Sequence, residues 1–347
     1  MEKRMIFKIC TLLFPLMILL IQQCAESGMR KNKSVSHTYK KKLDIRVMGV
    51  RRYYLLHVPA SYSRQKTSPL IIVLHGAFST PKQIEEQSGF SKLSDKEGFL
   101  VAYPSGAFGL FGFLKHWNAG FCCGKAAKDN IDDTGFLLKV IDDIKAEYAV
   151  DSSRVYMAGF SNGGMLTYLF AAEHTDKLAA AACLGASLGG RASKDMPVWK
   201  IPGPQSPLPM IVFHSRDDLN VPYNGGVSAK KGGEREYISV ADSVDFWVKN
   251  NGCDSEPLVE NLYDKRIVRK KWLDHQHGND VVLYTIENWG HKWPGKYFTD
   301  KLDNNDPLKG FDAAEIIWDF FKGKRNKDLF DFTIANYVRR SSVVQLI

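Results

Sequence analysis

The sequence has little cysteine and no cysteine spacing that is typical of a metal site. Six cysteines occur in 347 residues, and no two of them form a C-x-x-C pair. This absence argues against a zinc cluster and against a thioredoxin-type redox centre. The two histidines of His275-Gln276-His277 lack a third ligand. We expect neither a metal nor another cofactor. The balance of hydrophobic and charged residues also excludes a disordered chain, a collagen-like fibre and a disulfide knot.

Net charge is absent from most of the chain. The formal charge of +9 divides into +1 for residues 1–27, +8 for residues 28–52 and zero for the remaining 295 residues. A nucleic-acid-binding domain would carry its basic residues clustered on the folded part. We therefore expect no nucleic-acid partner.

The N-terminus has the pattern of a secretory signal. Basic residues precede the apolar run Ile9–Ile21, which is too short to span a bilayer comfortably. We therefore expect a signal peptide and an extracellular protein. Ala25-Glu26-Ser27 offers the small residues of an ordinary cleavage site. In the alternative reading the signal ends before Cys24, whose acylated thiol anchors the protein at the cell surface, and an uncleaved anchor is a third reading.

The chain divides into four predicted segments. Residues 1–27 form the signal, and residues 28–42, rich in Lys, Asn and Ser, are typical of a flexible basic tether that can contact an anionic surface. A single catalytic domain without internal repeats is expected over residues 43–323. The tail over residues 324–347 is first polar and then β-prone, and its role is left open.

Strand-like and helix-like segments alternate along the predicted domain. The apolar run Pro69–His75 is typical of a strand that is buried on both faces of a parallel sheet. Helical patterns over Ile131–Tyr148 and Asn162–His174 enclose a further strand at Arg154–Phe160. This alternation predicts an α/β fold with a mostly parallel sheet covered by helices on both faces.

A nucleophile motif lies between that strand and the helix after it. Gly159-Phe160-Ser161-Asn162-Gly163 reads G-x-S-x-G, the pattern of a sharp turn that raises a serine hydroxyl above the sheet. The two glycines leave the space that such a turn needs. The turn also directs the N–H of Asn162 toward a developing oxyanion. A Gly-rich turn whose serine only caps the helix is the alternative.

Two further groups follow in the order Ser, then Asp or Glu, then His that α/β-hydrolases require. Asp217 and Asp218 come directly after the predicted strand Met210–His214, and His291 comes after a later strand. A serine hydroxyl is a weak nucleophile without a base, and the base needs an acid that orients it. Ser161, Asp218 and His291 would supply these groups. The residue pattern alone leaves Asp217 as a competing acid.

A second oxyanion donor is expected in the loop after the first core strand. His75-Gly76-Ala77 fits, with the Ala77 N–H as donor, because Gly76 lets the backbone approach closely. An ordinary turn would explain the same glycine. Three aromatic residues are expected to wall a pocket for the acyl group, with core packing as the alternative: Trp117, Tyr223 and Trp293.

Six sequence blocks stand in a fixed order within residues 43–323. They are Leu74-His75-Gly76, Trp117–Gly124, Ile131–Phe136, Gly159–Met165, Asp218–Gly226 and Gly290–Gly295. Together they resemble the secreted α/β-hydrolase family of poly(3-hydroxybutyrate) depolymerases, feruloyl esterases and acetyl xylan esterases. The resemblance implies Ser161 as nucleophile, His291 as base and Asp218 as the acid. It also implies a serine esterase acting on hydroxybutyrate-like, feruloyl or acetyl-sugar esters.

The chain departs from the family pattern in two places. Ser215 follows His214 where the family often has glycine, and Lys270–Asp280 contains no cysteine that would pair with Cys253. The pairing of the four cysteines beyond the signal therefore stays open. Two alternative functions also stay open: a secreted serine peptidase of the same fold, and a surface-binding protein with a vestigial triad.

Overall fold

The computed structural model describes residues 35–47, 50–107, 115–230 and 234–326. Strands and helices alternate along these residues. The strands are β1 His37–Val47, β2 Val50–Val58, β3 Ser68–Leu74, β4 Leu100–Pro104, β5 Val150–Phe160, β6 Ala180–Leu184, β7 Gly189–Arg191, β8 Trp199–Lys200, β9 Met210–Ser215, β10 Gly226–Val227, β11 Glu236–Tyr237, β12 Leu258–Leu262, β13 Ile267–Trp272 and β14 Val281–Ile286. The helices are α1 Pro81–Ser88, α2 Phe90–Glu97, α3 Gly124–Lys128, α4 Asp133–Glu147, α5 Asn162–Glu173, α6 Val240–Asn251, α7 Lys296–Thr299 and α8 Ala313–Phe321, with a short 3₁₀ turn at Thr175–Lys177.

Ten of these strands form one sheet, in the order β1-β2-β4-β3-β5-β6-β9-β14-β13-β12. The six strands from β4 to β14 run parallel, and antiparallel strands complete both edges. The prediction of a mostly parallel sheet is therefore confirmed. Because parallel strands end at the same side, the segments after β3, β5, β9 and β14 meet at one rim of the sheet.

The strand β3 shows why the centre of this sheet is stable. All seven of its residues are buried. Leu70, Ile72 and Leu74 pack into the core on one face, while Ile71 and Val73 pack into the core on the other. Since successive side chains of a strand point to opposite faces, a continuous apolar run suits a strand with a core on each side.

Helices cover both faces of the sheet. The helices α4, α5 and α6 contribute side chains to the core that contains Leu70, and α1, α2 and α8 contribute to the core that contains Ile71. Within the described residues, no helix has the length and apolar composition needed to span a membrane.

Two elements differ from the sequence prediction. The segment that begins at Ser79-Thr80-Pro81 and runs to about Lys96 has the sequence pattern of one helix. In the structure, Gly89 has a φ of 75° and ends α1 before α2 begins. The hairpin of β12 and β13 was not predicted. Its strands carry charged residues at the edge of the sheet and leave Leu258 and Val259 exposed, so they lack the apolar alternation that marks a half-buried strand.

The described fold extends past both predicted domain boundaries. The strand β1 pairs with β2 from His37 onward, so residues 37–42 lie in the sheet rather than in the tether. At the other end, the Asn326 side chain donates hydrogen bonds to the carbonyls of Thr175 and Leu178. The predicted signal, Cys24 and most of the C-terminal tail lie outside the described residues.

Candidate active site

Ser161 occupies a sharp turn between β5 and α5. Its φ of 54° and ψ of −123° are unusual for a residue with a side chain, and such conformations persist where neighbouring structure enforces them. The Ser161 N–H donates to the carbonyl of Leu184 at 2.8 Å, and its carbonyl accepts from the Met165 N–H at 2.9 Å. These bonds hold the serine at the rim of the sheet.

The glycines of the motif are required by close backbone approach. A Cβ at Gly159 would lie 2.3 Å from the carbonyl oxygen of Gly163, and a Cβ at Gly163 would lie 2.5 Å from the carbonyl oxygen of His75. Both distances are far below van der Waals contact. The predicted turn therefore has the geometry expected from its sequence.

The structure brings together the three side chains that the sequence places far apart. His291 Nε2 lies 2.9 Å from Ser161 Oγ, and His291 Nδ1 lies 2.6 Å from Asp218 Oδ2. Because the carboxylate can only accept, Nδ1 carries the proton and Nε2 is free to accept the proton of the serine. This arrangement can activate an alcohol toward an acyl carbon.

Asp218 is buried and remains an acceptor. Burial by itself raises the pKa of its carboxyl, but the hydrogen bond from His291 brings that pKa below its ordinary value. The Oδ1 atom also accepts from the backbone N–H groups of Asn220 and Val221, at 2.8 and 2.9 Å. The acid is thus ionised at neutral pH and fixed in orientation.

His214 is a neutral packing residue beside the acid. Its Nε2 donates to the carbonyl of Val221 at 2.8 Å and lies 3.6 Å from Asp218 Oδ2. Complete burial lowers the pKa of the ring, so His214 stays uncharged.

Asp217 fastens the loop that carries the imidazole. Its Oδ1 accepts from the N–H groups of Trp289 and Gly290, at 3.0 and 3.2 Å. The hydroxyl of Ser215 donates to the same oxygen at 2.5 Å and accepts from the Gly290 N–H at 3.0 Å. The sequence predicted Asp217 only as a competing acid, because Trp289 and Gly290 are more than 70 positions away in the chain.

Ala77 and Asn162, the predicted oxyanion donors, line the same cleft as Ser161 and His291. The N–H groups in the first turn of a helix have no partner within the helix, and Asn162 is the first residue of α5. Ala77 makes no backbone hydrogen bond through its N–H within the described part of the chain. Both N–H groups therefore belong to residues that border the cleft beside Ser161.

Trp117 contacts the loop that follows β3 and is not among the described residues that line the cleft. Its side chain is completely buried, and its indole N–H donates to the carbonyl of His75 at 2.8 Å. The amide of Asn162 holds the Trp117 backbone at both ends: Oδ1 accepts from the N–H at 2.8 Å and Nδ2 donates to the carbonyl at 3.1 Å. The structure places Trp117 in the core, as in the core-packing alternative, and not in the wall of the cleft.

Trp293 and Tyr223 are also not among the described residues that line the cleft. Trp293 is completely buried in the core, with its ring edge-on to Phe90 and Phe160. The hydroxyl of Tyr223 lies 2.9 Å from Thr285 Oγ1, and its ring packs edge-on against His214. Core packing, the alternative reading of these aromatic residues, accounts for both.

The cleft at Ser161 has a volume of about 150 Å³. Phe78, Met165, Tyr237 and Cys123 were not predicted to line it, and they supply its apolar walls. The structure pairs Cys123 with its neighbour Cys122 in a disulfide, and Cys183 and Cys253 are free. Phe78 directly follows the expected donor Ala77, so its sequence position was the available signal.

The sheet order, the strand-to-helix turn at Ser161 and the gathered side chains define an α/β-hydrolase. Residues 52–200 match the family described as Esterase PHB depolymerase. Feruloyl esterase B of Piromyces equi is 31% identical over 69% of this chain and 42% of its own length. The bifunctional acetylxylan esterase/xylanase of Neocallimastix patriciarum is 33% identical over 76% of this chain and 32% of its own length.

Solved structures show the same fold. The acetyl xylan esterase from Aspergillus awamori aligns with a TM-score of 0.53 and 17% identity, covering 73% of this chain and 94% of that one. The chain is thus similar to esterases of the family that includes poly(3-hydroxybutyrate) depolymerases, feruloyl esterases and acetyl xylan esterases. It spans less than half the length of both curated relatives above.

Proposed function

We propose that this chain is a serine carboxylic ester hydrolase that works through an acyl-enzyme. The observation that carries the proposal is the line of contacts from Ser161 through His291 to Asp218, at 2.9 and 2.6 Å. Its relatives named as feruloyl and acetylxylan esterases support the ester bond as the target.

In the first step, Ser161 Oγ attacks the acyl carbon while His291 Nε2 takes the hydroxyl proton. The N–H groups of Asn162 and Ala77 stabilise the oxyanion that forms on the carbonyl oxygen. Asp218 stabilises the imidazolium, which then gives its proton to the leaving alcohol as the ester bond breaks. The product is an acyl-serine ester and a free alcohol.

In the second step, a water molecule replaces the alcohol. His291 takes one proton of the water, whose oxygen attacks the acyl carbon of the acyl-serine. The collapse of the second oxyanion returns the proton to Ser161 Oγ and releases the carboxylic acid. Both steps use the same base and the same two backbone donors.

The substrates we propose are hydroxybutyrate-like, feruloyl or acetyl-sugar esters. A cleft of about 150 Å³ accommodates a short acyl group, and Phe78 at its mouth offers an aromatic face. An aromatic acyl group would extend along that face, since offset or edge-to-face ring contacts are favourable.

The test is hydrolysis of nitrophenyl acyl esters, methyl ferulate and hydroxybutyrate oligomers by the purified chain. Ser161→Ala should lower turnover by roughly 10³–10⁶-fold. Ser255→Ala, an exposed serine remote from the motif, is the matched control and should keep full turnover. Undiminished hydrolysis by Ser161→Ala contradicts the proposal, and cleavage of peptide nitroanilides in place of esters favours a peptidase.

We also propose export of the protein by the signal over residues 1–27. The mass of the protein recovered from expressing cells tests this directly. Loss of the segment ending near Ser27 supports ordinary cleavage, and a diacylglycerol-sized mass increment that disappears in Cys24→Ala supports the lipoprotein alternative. An intact N-terminus in the recovered protein contradicts both.

A further inference from the structure

A second cavity continues from the cleft at Ser161. It has a volume of about 270 Å³ and shares Phe78 and Cys123 with that cleft. A substrate whose acyl carbon sits at Ser161 can therefore extend past these two side chains. We call this second cavity the extension.

The guanidinium of Arg235 brings a positive charge to the lining of the extension. Its Nη1 lies 3.8 Å from Cys123 Sγ, and its guanidinium lies beside the hydroxyl of Tyr237. Its Nε is buried and has no hydrogen-bond partner among the described residues. In the described part of the chain, Arg235 forms no ion pair with a carboxylate.

The neighbouring charges leave Arg235 available to a ligand. Glu236, the adjacent carboxylate, is held by Arg191 Nε at 2.7 Å. Glu234 also lines the extension, but it is exposed and forms no ion pair with Arg235. A disulfide sulfur and a phenol do not neutralise a guanidinium, whereas a carboxylate matches its planar pair of N–H donors.

We propose that Arg235 forms a subsite for a carboxylate carried by the ester substrate. The proposal rests on the proposed esterase function and narrows its substrate class to esters with a free acid group. The acid can belong to the acyl part, as in a dicarboxylic half-ester, or to the alcohol part, as at the free end of a hydroxyalkanoate oligomer. The two sources share one chemistry and are separated by the test.

The test compares kcat/KM for two matched pairs of substrates. The first pair is nitrophenyl hemiglutarate against nitrophenyl valerate, which places the acid on the acyl part. The second pair is the 3-hydroxybutyrate dimer against its methyl ester, which places the acid on the alcohol part. We expect the acid-bearing member of one pair to be preferred by at least tenfold, and the preferred pair identifies the source.

Arg235→Gln should lower that preference ratio at least tenfold, mainly through KM of the acid-bearing ester. Arg235→Lys should keep part of the preference, since the charge remains and the paired donors are lost. Arg269→Gln, which removes an arginine paired with Glu260 at the sheet edge, is the matched control and should leave the ratio as in the unmodified chain. High salt should also reduce the ratio, because a partly exposed ion pair is screened.

Three outcomes overturn the inference. Equal kcat/KM within both pairs contradicts the subsite while leaving the esterase function in place. If Arg235→Gln lowers kcat/KM equally for the acid-bearing and the neutral substrates, Arg235 acts on the structure of the site and not as a carboxylate subsite. Failure of the unmodified chain to hydrolyse any of the four esters contradicts the proposed function and this inference with it.

Discussion

The carboxylate of Asp217 accepts a hydrogen bond from the backbone N–H of Gly290, the residue before His291, at 3.2 Å. The loop that carries the proposed acid is thus fastened to the loop that carries the proposed base by a contact other than the Asp218–His291 bond. The hydroxyl of Ser215 contacts both the same Asp217 oxygen and the Gly290 N–H. These contacts together form the junction between the two loops.

Loss of this junction should impair catalysis more than substrate binding. Asp217→Ala removes the acceptor of the Trp289 and Gly290 N–H groups, so we expect kcat to fall about tenfold or more because His291 is held less accurately. KM should change little. Asp217→Asn keeps an acceptor oxygen and should restore most of kcat. Steady-state kinetics on one ester test this, and a normal kcat in Asp217→Ala would refute the positioning role.

Phe78 should set the preference for aromatic acyl groups. It is 53% exposed at the mouth of the cleft, so Phe78→Ala should change the free energy of unfolding by less than about 0.5 kcal/mol. KM for feruloyl esters should rise about 2–10-fold through loss of a ring contact, and KM for acetyl esters should not. Tyr263→Ala is the control, since Tyr263 is also an exposed aromatic residue with positive φ. A parallel change in KM for both ester types would contradict this role.

Gly163→Ala should destabilise the fold. The added Cβ would lie 2.5 Å from the carbonyl oxygen of His75 and 2.7 Å from that of Leu74, so α5 and β3 must separate. We expect a loss of about 1–3 kcal/mol in the free energy of unfolding, as for other overpacked sites. Gly203→Ala is the matched control, because a Cβ there meets nothing within 4 Å. Equal urea midpoints for the two variants would contradict the close approach at the elbow.

The buried imidazole of His75 predicts a pH-dependent stability. Its Nδ1–H donates to the carbonyl of Gly76 at 2.7 Å and its Nε2 accepts from the Gly106 N–H at 3.0 Å, which requires a neutral ring. Burial lowers the pKa of His75 to about 3 from an ordinary 6.5. Between these pH values the unfolded chain binds a proton that the folded chain does not.

The stability contributed by His75 is therefore complete above about pH 6.5 and declines as the pH falls toward 3, by about 1.4 kcal/mol per pH unit in the window. His75→Gln lacks this titration, so its free energy of unfolding should fall less steeply between pH 7 and pH 4. Urea denaturation at several pH values measures both slopes. Parallel slopes would show that His75 does not titrate as described.

The predictable parts of the fold and site depend on local sequence patterns. The apolar run of β3 predicts a buried strand, and the glycines beside Ser161 predict a sharp turn. Burial on two faces and a crowded turn each restrict the residue types allowed. The order of Ser161, Asp218 and His291 then follows from where the strands end.

The remaining features depend on contacts between distant segments. Trp117 is buried, and its indole N–H donates to the carbonyl of His75. Nothing in the local sequence of Trp117 or Trp293 distinguishes a ring that packs in the core from a ring that walls a pocket. Asp217 and Asp218 are adjacent carboxylates, and their different partners arise only once β9 and β14 lie side by side.

In the proposed mechanism, the contact with His291 makes the hydroxyl of Ser161 nucleophilic. Its most direct test is mass spectrometry of the chain after treatment with a fluorophosphonate, in which the serine oxygen forms a bond to phosphorus and fluoride leaves. We expect one adduct, located on the peptide that contains Ser161, and labelling slowed by orders of magnitude in His291→Ala. An unlabelled Ser161, or labelling at the same rate in His291→Ala, would contradict it.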